Sequence, residues 1–203
     1  LHSCEGWFSA VYLNLCSLAE NGELLDDKSD IYQMFTAALI EPLDEDEREF
    51  LAVMGLADEF TVEMAEFVTD NPSAGSILQS LISRNAFVSR LADAVSFRFH
   101  HMMKECSAEI FAEISLKEQI KYQDLYGQWY EKHKQYLHAL NYYGQAENYD
   151  SVLRVIEKDA GILLSAMKPD VLLSGLRNCS NEVLKDHPLA ILVLMRRLFT
   201  WRR

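Results

Sequence analysis

The sequence predicts a mainly α-helical chain: a winged-helix domain with a small β-hairpin, followed by a tetratricopeptide-like α-solenoid. Three observations carry that expectation. Short amphipathic stretches, separated by prolines and capping residues, fill residues 32–84. Residues 86–99, "AFVSRLADAVSFRF", then alternate apolar and polar side chains around a turn. Beyond them the chain reads helix after helix. The implied division is 1–31, a helix and linker; 32–108, the winged helix; and 109–203, the helical repeats.

Each element has a local reason. In "GWFSAVYLNLCSLAE", residues 6–20, Trp7, Val11, Leu15 and Leu18 fall on one helical stripe, and the polar "NGELLDDKSD" after it reads as a linker. "IYQMFTAALIEPL" reads as a helix stopped near Pro42. Asp44 and Glu47 form a capping box that opens a helix burying Phe50, Val53, Met54 and Ala57. Thr61 caps a shorter helix bearing Met64, Ala65 and Val68. Ser73, after Pro72, opens a fourth with Ile77, Leu78, Leu81 and Ile82. Two strand-like runs, 86–91 and 95–99, flank a turn at Asp93.

In the third region Ile120, Leu125, Trp129 and His133 lie near one helical face. Leu125, Gly127, Tyr130, Ala139 and Tyr143 follow the small-and-aromatic pattern of tetratricopeptide-type helix pairs. A break near Gly144–Asn148 separates two further helices. "KPDVLLSGLRNCS" and "HPLAILVLMRRLF" supply another pair, with Pro169 and Pro188 in first-turn positions. Each pair leaves one apolar face to bury on the next, so the apolar Ile191–Leu194 and Leu198–Phe199 imply that the array continues. The chain starts at Leu1 rather than Met and stops at "LFTWRR"; the expectation is a piece of a longer polypeptide.

Composition narrows the function. Apolar residues are 49% and charged residues 25%, ordinary for a soluble domain, and 203 residues suffice for one large or two small cores. No run is long enough to span a bilayer, and no basic-then-apolar leader opens the chain, so no membrane partner is expected. Cys4, Cys16, Cys106 and Cys179 are scattered without a CxxC pair. Cys16 and Cys106 sit on apolar stripes as buried thiols, fitting a reducing cytoplasmic location.

The net charge of −12 is uneven: residues 32–105 carry 13 acidic against 5 basic side chains, a balance of −8. The helix placed to enter a DNA groove, "SAGSILQSLISR", offers only Arg84 as a cation. Groove reading needs Arg, Lys, Asn or Gln at the bases and basic flanks at the phosphates, so this winged helix is expected to face protein or nucleotide. Catalysis is not expected either. There is no Ser–His–Asp or Cys–His spacing and no glycine-rich phosphate loop, and the Asp44–Glu49 cluster reads as a solvated helix start.

Five segments now stand in a telling order: "EGWFSAVYLNL", "LDEDEREFLAVMGLADEFTVEMAEFVT", "SILQSLISRNAFVSRL", "FRFHHMMKECSAEIF" and "YGQWYEKHKQYLHALNYYGQAENYDSVLRVIE". Together they resemble the MalT-like, LuxR-family ATP-dependent transcriptional regulators, among the signal-transduction ATPases with numerous domains. The resemblance spans nearly the whole chain. It implies a parent with an N-terminal P-loop ATPase, a winged helix, a helical-repeat sensor for an inducer, and a C-terminal DNA-binding helix-turn-helix. The chain matches the end of the ATPase lid, the winged helix and the first repeats, and no GxxxxGK[ST] run occurs in it.

The implied function is a regulatory relay with no catalysis or DNA binding of its own. ATP or ADP belongs to the parent protein and no cofactor to this chain. The implied partners are the upstream ATPase domain in cis, a small-molecule or protein inducer on the repeats, and promoter DNA only through a C-terminal domain outside the chain. A plain helical-repeat scaffold without an ATPase is the competing reading.

The resemblance also singles out one residue. In the wider class the winged helix presents an apolar–His motif to the β-phosphate of ADP, and Phe99–His100 occupies that position. His100 is thus the candidate nucleotide phosphate sensor, dependent on an ATPase domain beyond the chain. A helix starting near residue 100 would add backbone N–H groups and a positive dipole end. The competing role is packing at a strand-to-helix corner with a backbone hydrogen bond. His101 diverges by about 100° on a helix and reads as a surface residue, while His133 and His138 are poorly placed to share a metal. Gly6 and Trp7 match the class's segment near the adenine. Phe8 stands where that segment carries proline, so Trp7 reads as lid-helix core.

Overall fold

The computed structural model describes Leu18, residues 36–84, residues 88–159, Ile162 and residues 177–201. The expectations for Trp7, Val11, Leu15, the 21–30 linker, Cys16 and Pro169 lie outside the described residues; Leu18 is helical and 43% exposed. The fold is mainly helical, with a two-stranded antiparallel hairpin after a winged-helix-like region, as the sequence predicts. The chain forms two compact units. The first comprises residues up to Ala65 together with Pro72–Phe111, and the second Glu66–Asn71 together with residues from Ala112.

From residue 36 the first unit begins with a π-helical turn, Thr36–Ile40, closed by the Glu41 N–H donating to the Thr36 carbonyl at 3.0 Å. It stops at Pro42, which disfavours helical backbone at the residue before it. Helix α1, Glu45–Met54, begins with the expected capping box: the Glu47 N–H donates to Asp44 Oδ1 at 2.8 Å, and the Asp44 N–H to Glu47 Oε2 at 3.4 Å. Its C-terminal half is buried on every side, from Phe50 to Met54. Helix α2, Val62–Thr69, is capped by Thr61 Oγ1, which accepts from the Met64 N–H at 3.2 Å.

Helix α3, Ala74–Ser83, starts at Ser73 as expected, but the Ser73 side chain makes no cap. Its backbone sits at φ −89°, ψ 2°, where the carbonyl rather than the hydroxyl accepts the first N–H groups, those of Ser76 and Ile77. The buried face of α3 is Ala74, Leu78 and Leu81, while Ile77 and Ile82 are only half-buried.

Strands β1, Val88–Arg90, and β2, Phe97–Phe99, pair with Val88 opposite Phe99 and Arg90 opposite Phe97. Residues 86 and 87 of the first predicted strand lie outside the described residues; β2 is shorter than the predicted 95–99 for a definite reason. Asp93 Oδ1 accepts from the N–H groups of both Val95 and Ser96, at 3.0 and 2.9 Å, which withdraws those groups from the ladder. A third strand-like contact escapes the sequence pattern. Phe60 and Phe97 exchange both backbone hydrogen bonds, at 3.0 and 2.7 Å, placing the segment before α2 beside the hairpin.

Phe60 is also the centre of the core, with ring centroids 6.3 Å from Phe50, 6.1 Å from Phe97 and 5.1 Å from Phe99. Burying each such ring stabilises the unit by about 1.5–3 kcal/mol. Helix α4, His101–Glu113, follows β2 and buries Met103, Cys106, Ser107 and Phe111. Gly55 allows it to approach α1: a Cβ there would stand 2.2 Å from the Ser107 Cβ.

The second unit contains α5 (Leu116–Lys132), α6 (Tyr136–Gln145), α7 (Tyr149–Asp159), α8 (Asn181–Asp186) and α9 (Pro188–Trp201). Pro188 takes the first helical position, as predicted. The turns α5–α6 and α6–α7 share one geometry. Lys134 and Glu147 adopt left-handed backbone, φ 59° and 55°, and the next N–H reaches back to Tyr130 O and Tyr143 O at 2.8 and 2.9 Å.

The inner face of α5 is rotated from the predicted one. Tyr122, Tyr126, Trp129 and Tyr130 are buried, whereas Ile120 and His133 are exposed and Leu125 is half-buried. Tyrosine's amphipathic ring misled the apolar count, because four stacked rings fill the α5–α6 contact. Tyr142 lies 4.7 Å from Tyr126 and 5.5 Å from Tyr130, and His138 lies 5.0 Å from Tyr130.

Candidate functional site

The β2–α4 corner is built by alternation. Phe97 and Phe99 point into the core, and Arg98 points out to an ion pair with Glu59. The next residue, His100, leaves the strand half-buried as α4 begins. Its Nδ1 accepts from the Met102 N–H at 3.5 Å, so the ring caps the first turn of the helix. A ring accepting at Nδ1 carries its proton on Nε2 and presents one N–H donor. Burial, followed by the neighbouring His101, lowers its pKa and favours the neutral form. His101 is exposed, with its ring centroid 4.3 Å from that of His100.

Other cations of this unit are engaged by side chains of the same unit. Glu47 was expected to be a solvated member of an acidic helix start, but it is only 4% exposed. It accepts from Ser80 Oγ at 2.8 Å and from Arg84 Nη1 at 3.1 Å, so the sole cation of the groove-facing helix is committed to α1. Lys104 pairs with Asp58 at 2.6 Å, and Arg90 lies 5.5 Å above the Phe97 ring. A surface of this kind offers few of the outward cations that phosphate contacts need.

In the second unit the polar groups gather in two places that the sequence reading did not identify. Glu131, on α5, accepts from Tyr143 Oη at 2.8 Å, Arg154 Nη2 at 3.0 Å and Lys158 Nζ at 2.6 Å. Burial alone would raise its pKa, but these hydrogen bonds outweigh it and hold the carboxyl at about 2. Burial and Glu131 together push the Tyr143 hydroxyl up. His187, between α8 and α9, is 9% exposed and lies between two carboxylates of α7. The helical spacing of Arg154 and Lys158 hints that they share a face. Their distant partner, like the carboxylates around His187, has no local signal.

His133 Nδ1 lies 2.8 Å from the Trp129 carbonyl, and His138 stacks on Tyr130. Among the described residues no group of three or more His, Cys, Asp or Glu could hold an ion, and no helix is long and apolar enough to cross a membrane. Cys106 is buried as expected, while Cys179 is half-exposed.

Comparison with known families gives this geometry a place. Residues 36–119 match the family model of the MalT winged helix domain. The matched span runs from the π-helical turn to the first turn of α5, so it contains the whole hairpin and the His100 corner. It supports a MalT-like relationship and a transcription-regulator context. No curated protein sequence matches the chain.

Proposed function

We propose that the chain is the regulatory middle of a MalT-like, LuxR-family transcriptional regulator. It would relay nucleotide and inducer state to a DNA-binding domain outside the chain, without catalysis or DNA binding of its own. The observation that carries this reading is the MalT winged-helix match over residues 36–119, on a fold whose groove-facing helix has its one cation tied to Glu47. In this scheme α5 to α9 form the start of a tetratricopeptide-like sensor array, supported by Gly127 closing on the Tyr143 ring between α5 and α6. His100 contacts the β-phosphate of ADP held by an upstream ATPase domain, and loss of that contact releases the winged helix.

The encoding gene tests the scheme first: a P-loop upstream and a helix-turn-helix downstream are expected, and the absence of both would overturn it. In the full-length protein, His100→Ala is expected to weaken ADP retention and raise basal activation. Unchanged ADP affinity assigns His100 to packing alone. The 203-residue chain itself should neither hydrolyse ATP nor retard duplex DNA at physiological salt. The exposed stripe Leu189, Leu192, Met195 and Phe199 on α9 favours a second reading, a helical-repeat scaffold for protein partners without an ATPase. The same gene reading separates the two.

A further inference from the structure

His187 sits in an arrangement that a neutral imidazole cannot satisfy. Nε2 lies 3.1 Å from Asp150 Oδ1, and Nδ1 lies 3.2 Å from Glu157 Oε2. Both carboxylates project from α7, Asp150 in its first turn and Glu157 about two turns further on, and the ring lies at the α8–α9 junction. Each neutral tautomer has one N–H and one lone pair, so one carboxylate would face a lone pair. Only the imidazolium donates to both. The carboxylates approach opposite ring nitrogens and so do not converge on a common point, which fits a bound proton rather than a bound metal.

We propose that His187 is a proton-operated latch, held as imidazolium between Asp150 and Glu157, that fastens α9 against α7. The two sides of the latch differ. Glu157 is the more buried carboxylate, and its second oxygen accepts the Ala190 N–H at 3.3 Å, so it also holds the first turn of α9. Asp150 is well exposed and has Arg154 Nη1 3.5 Å away as an alternative partner. On losing its proton the ring keeps the Nδ1–H bond to Glu157 and turns a lone pair toward Asp150, which swings to water and Arg154. The latch then loosens without letting go.

The remaining charged neighbours do not change the sign. Arg154 on α7 is occupied by Glu131 and Asp150, and Lys185 and Asp186 on α8 are exposed. The Cys179 thiol is pushed up by burial and by Asp150, so it stays protonated and neutral near pH 7. Burial lowers the His187 pKa, but its hydrogen bonds to the Asp150 and Glu157 carboxylates outweigh it, and the net shift is upward. The latch is therefore fully closed below the ordinary histidine value of 6.5 and opens as pH rises through the higher folded value.

The test is amide hydrogen exchange of the 203-residue chain between pH 5.5 and 8.5, corrected for intrinsic exchange, with the His187 titration followed by NMR. The α9 amides are expected to open about tenfold more often at the alkaline end, the size of one lost charge-assisted hydrogen bond. α5 and α6 should hold constant. His187→Gln should abolish this pH dependence and Asp150→Asn should reduce it. If His187→Gln fails to fold, the wild-type titration alone decides. A His187 pKa at or below 6.5, or α9 opening independent of pH, overturns the latch.

Discussion

Gly127 and Gly144 make a paired test of how the second unit is packed, because one substitution has opposite consequences at the two positions. A Cβ built on Gly127 would stand 2.5 Å from Cδ1 and Cε1 of Tyr143 and 2.8 Å from its Cγ. Ordinary carbon contacts lie near 3.5–4.0 Å, so the ring would have to retreat by about 1 Å. It has nowhere to go: Tyr143 is 1% exposed, and its hydroxyl is tied to Glu131 at 2.8 Å. Overpacking of this kind costs about 1–3 kcal/mol, while alanine's better helix propensity returns about 1 kcal/mol. Because the ring cannot retreat, the cost falls in the upper part of that range, about 2–3 kcal/mol, and the expected net loss for Gly127→Ala is about 1–2 kcal/mol. Gly144 has nothing within 4 Å of the same Cβ and lies in the exposed last turn of α6. Gly144→Ala is therefore expected to gain a few tenths to about 1 kcal/mol. Urea unfolding followed by circular dichroism measures both, and hydrogen exchange of the α5 and α6 amides assigns the change to this unit. Gly127→Ala at or above parental stability, with Gly144→Ala showing its helix gain, refutes the close approach of α5 and α6.

Two further substitutions probe the cores. Gly55→Ala places its Cβ 2.2 Å from the Ser107 Cβ, an atom fixed to the α4 backbone, so a loss of about 3 kcal/mol in the first unit is expected in urea unfolding. Glu131→Gln removes the anion that Arg154, Lys158 and Tyr143 share and should destabilise the second unit at pH 7 by about 1–3 kcal/mol, screening by solvent at the two cations limiting the loss. The stability Glu131 contributes is fully present above its ordinary value of 4.5 and is lost as pH falls through about 2. Parent and variant should therefore converge in acid, and a constant difference between pH 7 and pH 2 contradicts this.

What the sequence reveals is local, and what it hides is long-range. The capping box at Asp44 and Glu47, the Thr61 cap and the buried Phe50, Val53, Met54 and Ala57 all follow from spacing within a few residues. The Phe60–Phe97 bridge does not, because one phenylalanine between Glu59 and Thr61 is too short a strand to show a period. The α5 face was misplaced for a different reason. Tyr122, Tyr126 and Tyr130 count as polar at one end and apolar at the other, and only the rings of α6 decide which end governs. The α6–α7 break was correctly located, yet its left-handed residue is Glu147 rather than the nearby Gly144, since the turn's hydrogen bonds fix the position. His100 was placed at its corner by the switch from alternation to helical period, while its bond to the Met102 N–H needed three dimensions. His187 offered nothing locally, because its partners lie 37 and 30 positions away.

The charge pattern of the first unit follows one logic. Arg84 reaches Glu47 across 37 positions, Arg98 reaches Glu59 across 39 and Lys104 reaches Asp58 across 46. Each cation comes from the α3-to-α4 half and each carboxylate from α1 or the segment after it. The pairs join the two halves of the winged helix instead of projecting toward a duplex. The more exposed pairs, Arg98–Glu59 and Lys104–Asp58, contribute little each, about 0–1 kcal/mol, so their main effect is on what the surface can bind. Freeing Arg98 and Lys104 by neutralising Glu59 and Asp58 would still leave α3 with serines and one glutamine to present to a groove. Converting this unit into a DNA reader would require new cations on α3 as well as removal of the carboxylates. A winged-helix fold by itself does not fix what the domain binds, so the His100→Ala measurement and the DNA-retardation measurement have to decide between the readings.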